Sequence, residues 1–342
     1  MAIKLKDFQR ILIVHTAFVG DVILMTPLIR ATKRVFPKAK IDALVIPQTA
    51  GLLQNNPFIR AIQIFDKRKN KLKAFWEMVR ILKKQNFDAA FLPHSSFTTI
   101  ALVTIAGIEE RIGYDRNFSR HFLTQRVPFR KGIHRIQKNL ELLKPYSSAT
   151  FDIQTELFPD DAARGNSKRL LIRHFGKDRK LVAVAPGSVW NTKRWREEYY
   201  AQLTGLLSRN GYGVVLIGAK DERTLCERIK PENNFINLAG ETNFLESAAV
   251  LENIDLLICN DSGIMHMANA VKTDVFAIFG PTVQSIGYFP YQPNDKVFEV
   301  DLECRPCSKH GGDKCPLGHH RCMIEVTPEW IFREIERRFA IR

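Results

Sequence analysis

Short continuous runs of apolar residues recur along the chain, each followed by a polar or glycine-bearing loop and then by a longer amphipathic stretch. In the first half, the runs at 10–15, 41–46, 61–65 and 88–93 predict buried strands. Residues 22–36, 72–85 and 97–107 predict helices, with Pro27 near the effective start of the first or kinking it. The second half restarts the pattern. Strands are expected at 181–185, 213–218, 236–238, 256–259 and 275–279, and helices at 197–209, 222–230, 244–253 and 265–271. Strands that are apolar throughout, rather than alternating, belong to a parallel sheet covered by helices on both faces. The polar stretch 160–180, with room for a helix inside it, is the natural boundary. The expected fold class is α/β: two doubly wound domains, 1–165 and 166–342, facing a central cleft, the last helix packing back on the first domain.

Composition narrows the classes of function. With 45% hydrophobic and 25% charged residues among 342, wholesale disorder is excluded. The net charge of +15 asks for an anionic partner: a nucleic acid, an anionic membrane surface or a phosphorylated substrate, unless it is only a solubilising surface. It is unevenly held. Residues 1–165 carry 27 Lys+Arg against 14 Asp+Glu, a net of +13, whereas 166–342 carry 24 against 22, a net of +2. No recognised nucleic-acid module and no basic–aromatic stacking pattern accompanies the basic half, so nucleic acid is the least expected partner. No run of about 18 apolar residues is present to span a membrane. The stretch 11–14 is too short for a signal-peptide core. Six cysteines are too few for a disulfide scaffold, which favours a reducing, cytoplasmic setting.

Four segments carry candidate chemistry, each directly after an expected strand, where an open parallel sheet places its ligands. In Thr16-Ala17-Phe18-Val19-Gly20-Asp21, Gly20 permits close backbone approach. Asp21 opens the first helix, either as a plain helix-start acid or as an ionised carboxylate able to take a proton from a hydroxyl. In Pro186-Gly187-Ser188-Val189-Trp190-Asn191-Thr192-Lys193-Arg194-Trp195, small residues expose backbone amides and Lys193 and Arg194 supply charge. This suits a phosphate or diphosphate, although no Walker sequence is present. In Asn260-Asp261-Ser262-Gly263-Ile264-Met265-His266, Ser262 is a candidate N-cap ahead of an anion-binding helix start. Asp261 is suited to sugar hydroxyls, and His266 either reaches a phosphate or packs. Phe279-Gly280-Pro281-Thr282 makes a tight loop with a hydroxyl. Cys304, Cys307, Cys315 and Cys322, with His310, His319 and His320 among them, either hold a structural metal, remain free thiols or form a disulfide. No metal is assigned to the site residues.

Together these segments resemble the ADP-heptose–lipopolysaccharide heptosyltransferases of glycosyltransferase family 9. The resemblance rests on Val19-Gly20-Asp21 with Thr26-Pro27, Pro186-Gly187-Ser188 with Thr192-Lys193-Arg194-Trp195, and Leu238-Ala239-Gly240-Glu241-Thr242. It continues through Asn260-Asp261-Ser262-Gly263 with Met265-His266 and Phe279-Gly280-Pro281-Thr282, and holds in order from about residue 10 to 330. Leu92-Pro93-His94-Ser95-Ser96-Phe97, Ala106-Gly107 and Arg111-Ile112-Gly113-Tyr114 look closer to members that add the second heptose. The resemblance implies a GT-B fold of two Rossmann-like domains, the acceptor on the first and the donor on the second. It implies an inverting, metal-independent transfer of heptose from ADP-L-glycero-D-manno-heptose to the lipid A–Kdo–heptose inner core of lipopolysaccharide, with no cofactor. Alternatives are another nucleotide sugar or core position, or a nucleotide-sugar epimerase of the same fold.

By the same resemblance, Asp21 would be the general base and Lys193 would stabilise the leaving diphosphate. Gly187, Ser188, Glu222, Asp261, Ser262, Gly263, His266 and Thr282 would hold the donor. Gly20, His94, Arg116 and Arg120 would meet the acceptor, an anionic glycolipid, with peripheral contact at the cytoplasmic face of the inner membrane. Arg111, Arg126, Arg130 and Lys131 follow the His94 loop and are expected to face the same acceptor.

Overall fold

The computed structural model describes residues 6–340 except Lys69, Ser95 and Asn117, and except the side chain of Ser119. Ser95, one of the residues carrying the resemblance, therefore lies outside the described residues. The chain divides into two compact units, Met1–Phe158 and Pro159–Arg342. The helix Asp161–Phe175 belongs wholly to the second unit, which sets the division ahead of the expected 165/166. Asp160 caps that helix through Ala163 N at 2.7 Å. Ser167 Oγ then donates to Ala249 O at 3.0 Å, and Arg164 pairs with Glu252 at 2.9 Å.

The first unit is a six-stranded parallel sheet of β1 (Arg10–Val14), β2 (Lys40–Val45), β3 (Ala61–Ile64), β4 (Ala89–Leu92), β5 (Glu110–Tyr114) and β6 (Gln125–Val127). Their order is β3-β2-β1-β4-β5-β6. Ile13 of β1 stands beside Ala43 of β2 and Phe91 of β4, all fully buried. The second unit repeats the plan with β7 (Leu181–Ala185), β8 (Gly213–Leu216), β9 (Phe235–Asn237), β10 (Leu256–Asn260), β11 (Asp274–Ile278) and β12 (Lys296–Phe298). Its order is β12-β11-β10-β7-β8-β9. Both are doubly wound α/β sheets. In each, winding reverses between the first and fourth strands of the unit, and the crevice for a ligand lies beyond the carboxyl ends of that pair.

The continuous helix expected over 22–36 is two, Val19–Ile23 and Thr26–Val35. Pro27 sits at the start of the second and has no N–H for the carbonyl of Ile23. Thr26 Oγ1 donates to that carbonyl instead, at 2.8 Å. β5, β6 and β12 carry no sequence signal strong enough to be read as strands. The final helix, Pro328–Ala340, contributes to the core of the second unit. Ile331 and Ile335 enter the second unit's core, and Glu334 meets Lys296 at 2.6 Å.

Candidate active site

In the first unit, the winding reversal places the loops after β1 and β4 side by side. Asp21 lies in the first turn of the helix Val19–Ile23, as expected. Around it the structure gathers residues with no local sequence signal. His15, immediately after β1 and fully buried, has Nε2 4.0 Å from Asp21 Oδ1. Arg135 Nε lies 3.8 Å from the same oxygen, while Arg135 Nη2 donates to Pro93 O at 2.8 Å. One guanidinium thus joins the β1 loop to the β4 loop. His94 follows that carbonyl, and its ring stacks on His15 with centroids 5.6 Å apart. Lys67 Nζ donates to Thr16 Oγ1 at 2.9 Å.

Both imidazoles resist protonation. Burial drives the pKa of His15 well below the ordinary 6.5, helped by the charges of Arg135 and His94. Burial also lowers that of His94, which Asp21 opposes and Arg135, Lys67 and Arg116 reinforce. Both ring nitrogens of His15 and Nδ1 of His94 lack a hydrogen-bond partner among the described residues. Leaving such atoms unmatched costs about 1–3 kcal/mol each, a cost kept at sites that await a polar ligand.

Of the remaining residues named for the acceptor, Gly20 lies in the same short helix as Asp21. Arg116 lies with its guanidinium 4.3 Å from the centre of the Phe129 ring, within electrostatic reach of His94. Arg120 is paired with Asp115 at 3.6 Å. Arg111 is an internal brace, donating to Phe122 O at 2.7 Å and Ile108 O at 2.5 Å, and Arg130 is paired with Glu141 at 3.0 Å.

In the second unit the loops after β7, β10 and β11 meet on one carboxylate oxygen. Asp261 Oδ2 accepts from Lys193 Nζ at 2.6 Å and from Thr282 Oγ1 at 2.7 Å. Asn260 stitches two of these loops together: its Oδ1 accepts from Trp195 N at 2.9 Å and its Nδ2 donates to Pro186 O at 2.8 Å. Gly187 lies in close contact with Glu222: a Cβ there would stand 1.6 Å from Glu222 Oε1. Glu222 is fixed in turn, its Oε2 accepting from Ala219 N at 2.8 Å. Arg194 is spent inside the loop, with Nε donating to Ser188 O at 2.8 Å. Ser262 occupies the N-cap position of the helix Gly263–Ala270, but its hydroxyl makes no capping bond. His266 is buried one turn in, its ring 6.5 Å from that of Tyr288. A half-buried ammonium and the backbone amides at a helix start make a site for a phosphate-bearing ligand.

The model for the family described as "Glycosyltransferase family 9 (heptosyltransferase)" matches residues 75–316. The chain belongs to that family. It is similar to "Lipooligosaccharide heptosyltransferase 2" of Haemophilus influenzae, 27% identical over 97% of this chain and 100% of that one. It is similar too to "Lipopolysaccharide heptosyltransferase 3" of Escherichia coli, 28% identical over 78% of this chain and 82% of the other. The solved structure of E. coli ADP-heptose lps heptosyltransferase II matches with a TM-score of 0.78 at 20% identity, covering 96% and 98%. That likeness establishes the fold, the two-unit GT-B class.

In this family 9 glycosyltransferase a tail segment secures the loops of the second crevice. Arg305, its side chain almost wholly buried, donates to Gly280 O, to Val300 O and to Thr282 O at 2.9 Å, and pairs with Glu299 at 2.7 Å. Cys307 N donates to Pro281 O at 3.1 Å. Thr192 exchanges bonds with Gly312, and His320 Nε2 lies 2.8 Å from Thr192 O. The four clustered cysteines form no disulfide, and among the described residues no three His, Cys, Asp or Glu are arranged to hold a metal ion. Burial raises Cys322 to about 11, which suits a packing thiol rather than a nucleophile. Sequence reasoning missed His15, Lys67, Arg135 and Arg305, and named Asn260 without giving it a role. Only His15 and Asn260 stood next to a strand end, where they were open to notice.

Proposed function

We propose that this glycosyltransferase transfers heptose from ADP-L-glycero-D-manno-heptose to the lipid A–Kdo–heptose inner core of lipopolysaccharide. Transfer proceeds with inversion and without a metal, at the cytoplasmic face of the inner membrane. The observation that carries the reading is the convergence of Lys193 and Thr282 on Asp261 in one crevice, with Asp21 among His15, His94 and Arg135 in the other.

In this reading the first unit holds the acceptor. Asp21 takes the proton of the acceptor hydroxyl as its oxygen bonds to the anomeric carbon. The bond from that carbon to the diphosphate breaks, and its electron pair leaves with ADP. Lys193 and the amides at Ser262 and Gly263 neutralise the departing charge without further reorganisation. Asp261 and Thr282 hold heptose hydroxyls, Gly187 and Ser188 face the diphosphate, Glu222 meets the nucleoside, and His266 supports the phosphate end. Gly20, His94, Arg116 and Arg120 receive the acceptor. Neutral His94 has a nitrogen for a sugar hydroxyl, and the arginines match its phosphates and carboxylates. Relatives named both heptosyltransferase 2 and 3 are similar to this chain, so the acceptor test spans both sides of the first heptose.

The test is a panel of nucleotide sugars against lipopolysaccharide acceptors truncated before and after the first heptose, read by product mass. Transfer of one heptose from the ADP donor to the acceptor ending in the first heptose is expected. Transfer of another sugar, or none, would overturn the donor assignment. In the same assay Asp21→Asn is expected to lose about 10²–10⁴ in turnover, with ADP affinity unchanged. Unaltered turnover would remove Asp21 from the role of base.

A further inference from the structure

Among the described residues, nine large hydrophobic side chains of the first unit are exposed, against three in the second. They are not scattered. Phe18, Ile64, Leu72, Trp76, Phe97 and Phe118 are between 51 and 75% exposed, whereas Ile81, Ile105 and Ile153 are only 38–39%. All six of the more exposed residues follow the carboxyl end of a strand. Phe18 is in the loop after β1. Ile64 ends β3, and Leu72 and Trp76 lie one turn apart in the first turns of the helix Lys71–Gln85 that follows. Phe97 opens the helix Phe97–Ile105 after β4, and Phe118 opens the 3₁₀ turn Phe118–Phe122 after β5. The helix Lys71–Gln85 packs on Phe97–Ile105, which packs on that turn, and the rings of Phe97 and Phe118 are 5.9 Å apart.

Scattered exposed apolar residues need no explanation, but a collected set does. The chemistry between them is basic on balance: Lys67, Arg68, Lys71 and Lys73 stand against Asp66 and Glu77 around Leu72 and Trp76, with Lys73 paired to Glu77 at 3.9 Å, and Arg116 and Arg120 stand against Asp115 beside Phe118. Aromatic and aliphatic side chains interleaved with exposed cations fit a surface that is apolar just beneath an anionic layer. A nucleic acid would use the rings and the cations but not Leu72 or Ile64. We propose that this carboxyl edge of the first sheet docks on an anionic lipid bilayer, its cations on the headgroups and Leu72, Trp76, Phe97 and Phe118 in the interface. The inference rests on the acceptor reading above for its purpose, since the same edge carries Asp21 and His94, and docking there would bring a lipid-anchored acceptor to them.

Trp76 is the only tryptophan of the first unit, so it reports directly. The full chain, without substrates, is sedimented with vesicles of phosphatidylcholine alone and of phosphatidylcholine with phosphatidylglycerol. Binding to the anionic vesicles, weakened by salt, is expected. Brominated lipids are expected to quench fluorescence in the native chain and not in Trp76→Phe. The double variant Leu72→Ser, Phe118→Ser is expected to bind at least tenfold more weakly. Its melting temperature and its turnover on a deacylated, soluble acceptor should be unchanged, because these side chains are exposed. Failure to bind anionic vesicles, equal binding by the double variant, or burial of the patch in a dimer seen by sedimentation velocity would overturn the proposal. Loss of transfer to the soluble acceptor with vesicle binding intact would instead count against the catalytic reading alone.

Discussion

Single residues at the second crevice act through close approach. Gly187 has room only for hydrogen, because Glu222 Oε1 occupies the space its Cβ would take. The obstacle is the end of a flexible side chain, so Gly187→Ala is expected to fold and to displace the carboxylate from Ala219 N. ADP affinity should fall about tenfold, the order of one lost charge-assisted hydrogen bond. In a Glu222→Ala background the same glycine change should add little. A double-mutant cycle by calorimetry checks this, and fully additive losses would show that Gly187 acts independently of Glu222. Lys193, Asp261 and Thr282 were legible in sequence because each follows a strand end, and the parallel-sheet rule selects such positions. Arg135 and Arg305 were not. Arg135 acts on a carbonyl 42 positions away and Arg305 on one 23 positions away, and no local pattern encodes such pairings.

At the scale of elements, two connections give the crevices their shape. Arg135 enters the first from the helix Arg135–Glu141, capped at its start by His134. The tail around Arg305 clasps the second, holding the carbonyls of Gly280 and Thr282. Arg305→Ala would leave several buried carbonyls and Glu299 without their donor. A loss of about 3 kcal/mol in denaturant unfolding is expected, with weaker ADP binding because Thr282 is no longer fixed. Stability and affinity both unchanged would show that the clasp does not position the loop. The strong strands and long helices were readable from apolar runs and amphipathic spacing. β6, β9 and β12 have three residues each, too few to show a period, and β9 was found only because its neighbours framed it.

For the whole molecule, one strand order is used twice while the charge is not shared. Met1–Phe158 holds 26 Lys+Arg against 12 Asp+Glu, a net of +14, and Pro159–Arg342 holds 25 against 24, a net of +1. The basic unit also contains the two neutral, pKa-lowered imidazoles, which makes its stability sensitive to mild acid. Below the ordinary value of 6.5 the unfolded chain protonates His15 and His94 while the folded unit resists, so the unfolded state binds more protons. Stability is therefore expected to fall as pH drops from 6.5 toward 5.5, and His15→Asn should flatten that slope. Calorimetric unfolding across the interval checks it. A flat profile in the native chain would mean that the imidazoles are not held neutral.

By itself the sequence determined the α/β class, the doubling of the plan, the basic bias of one half and most of the loops that carry chemistry. These depend on patterns within a few residues or on simple sums. Only the tertiary structure decided that His15 and Arg135 flank Asp21, that Asn260 stitches two loops, and that the cysteine-bearing tail serves as a clasp. It also decided that Arg111 and Arg194 brace backbone carbonyls near their own loops. Each of those outcomes turns on which carbonyl or carboxylate lies within about 4 Å of a donor, a distance set by packing between segments remote in the chain.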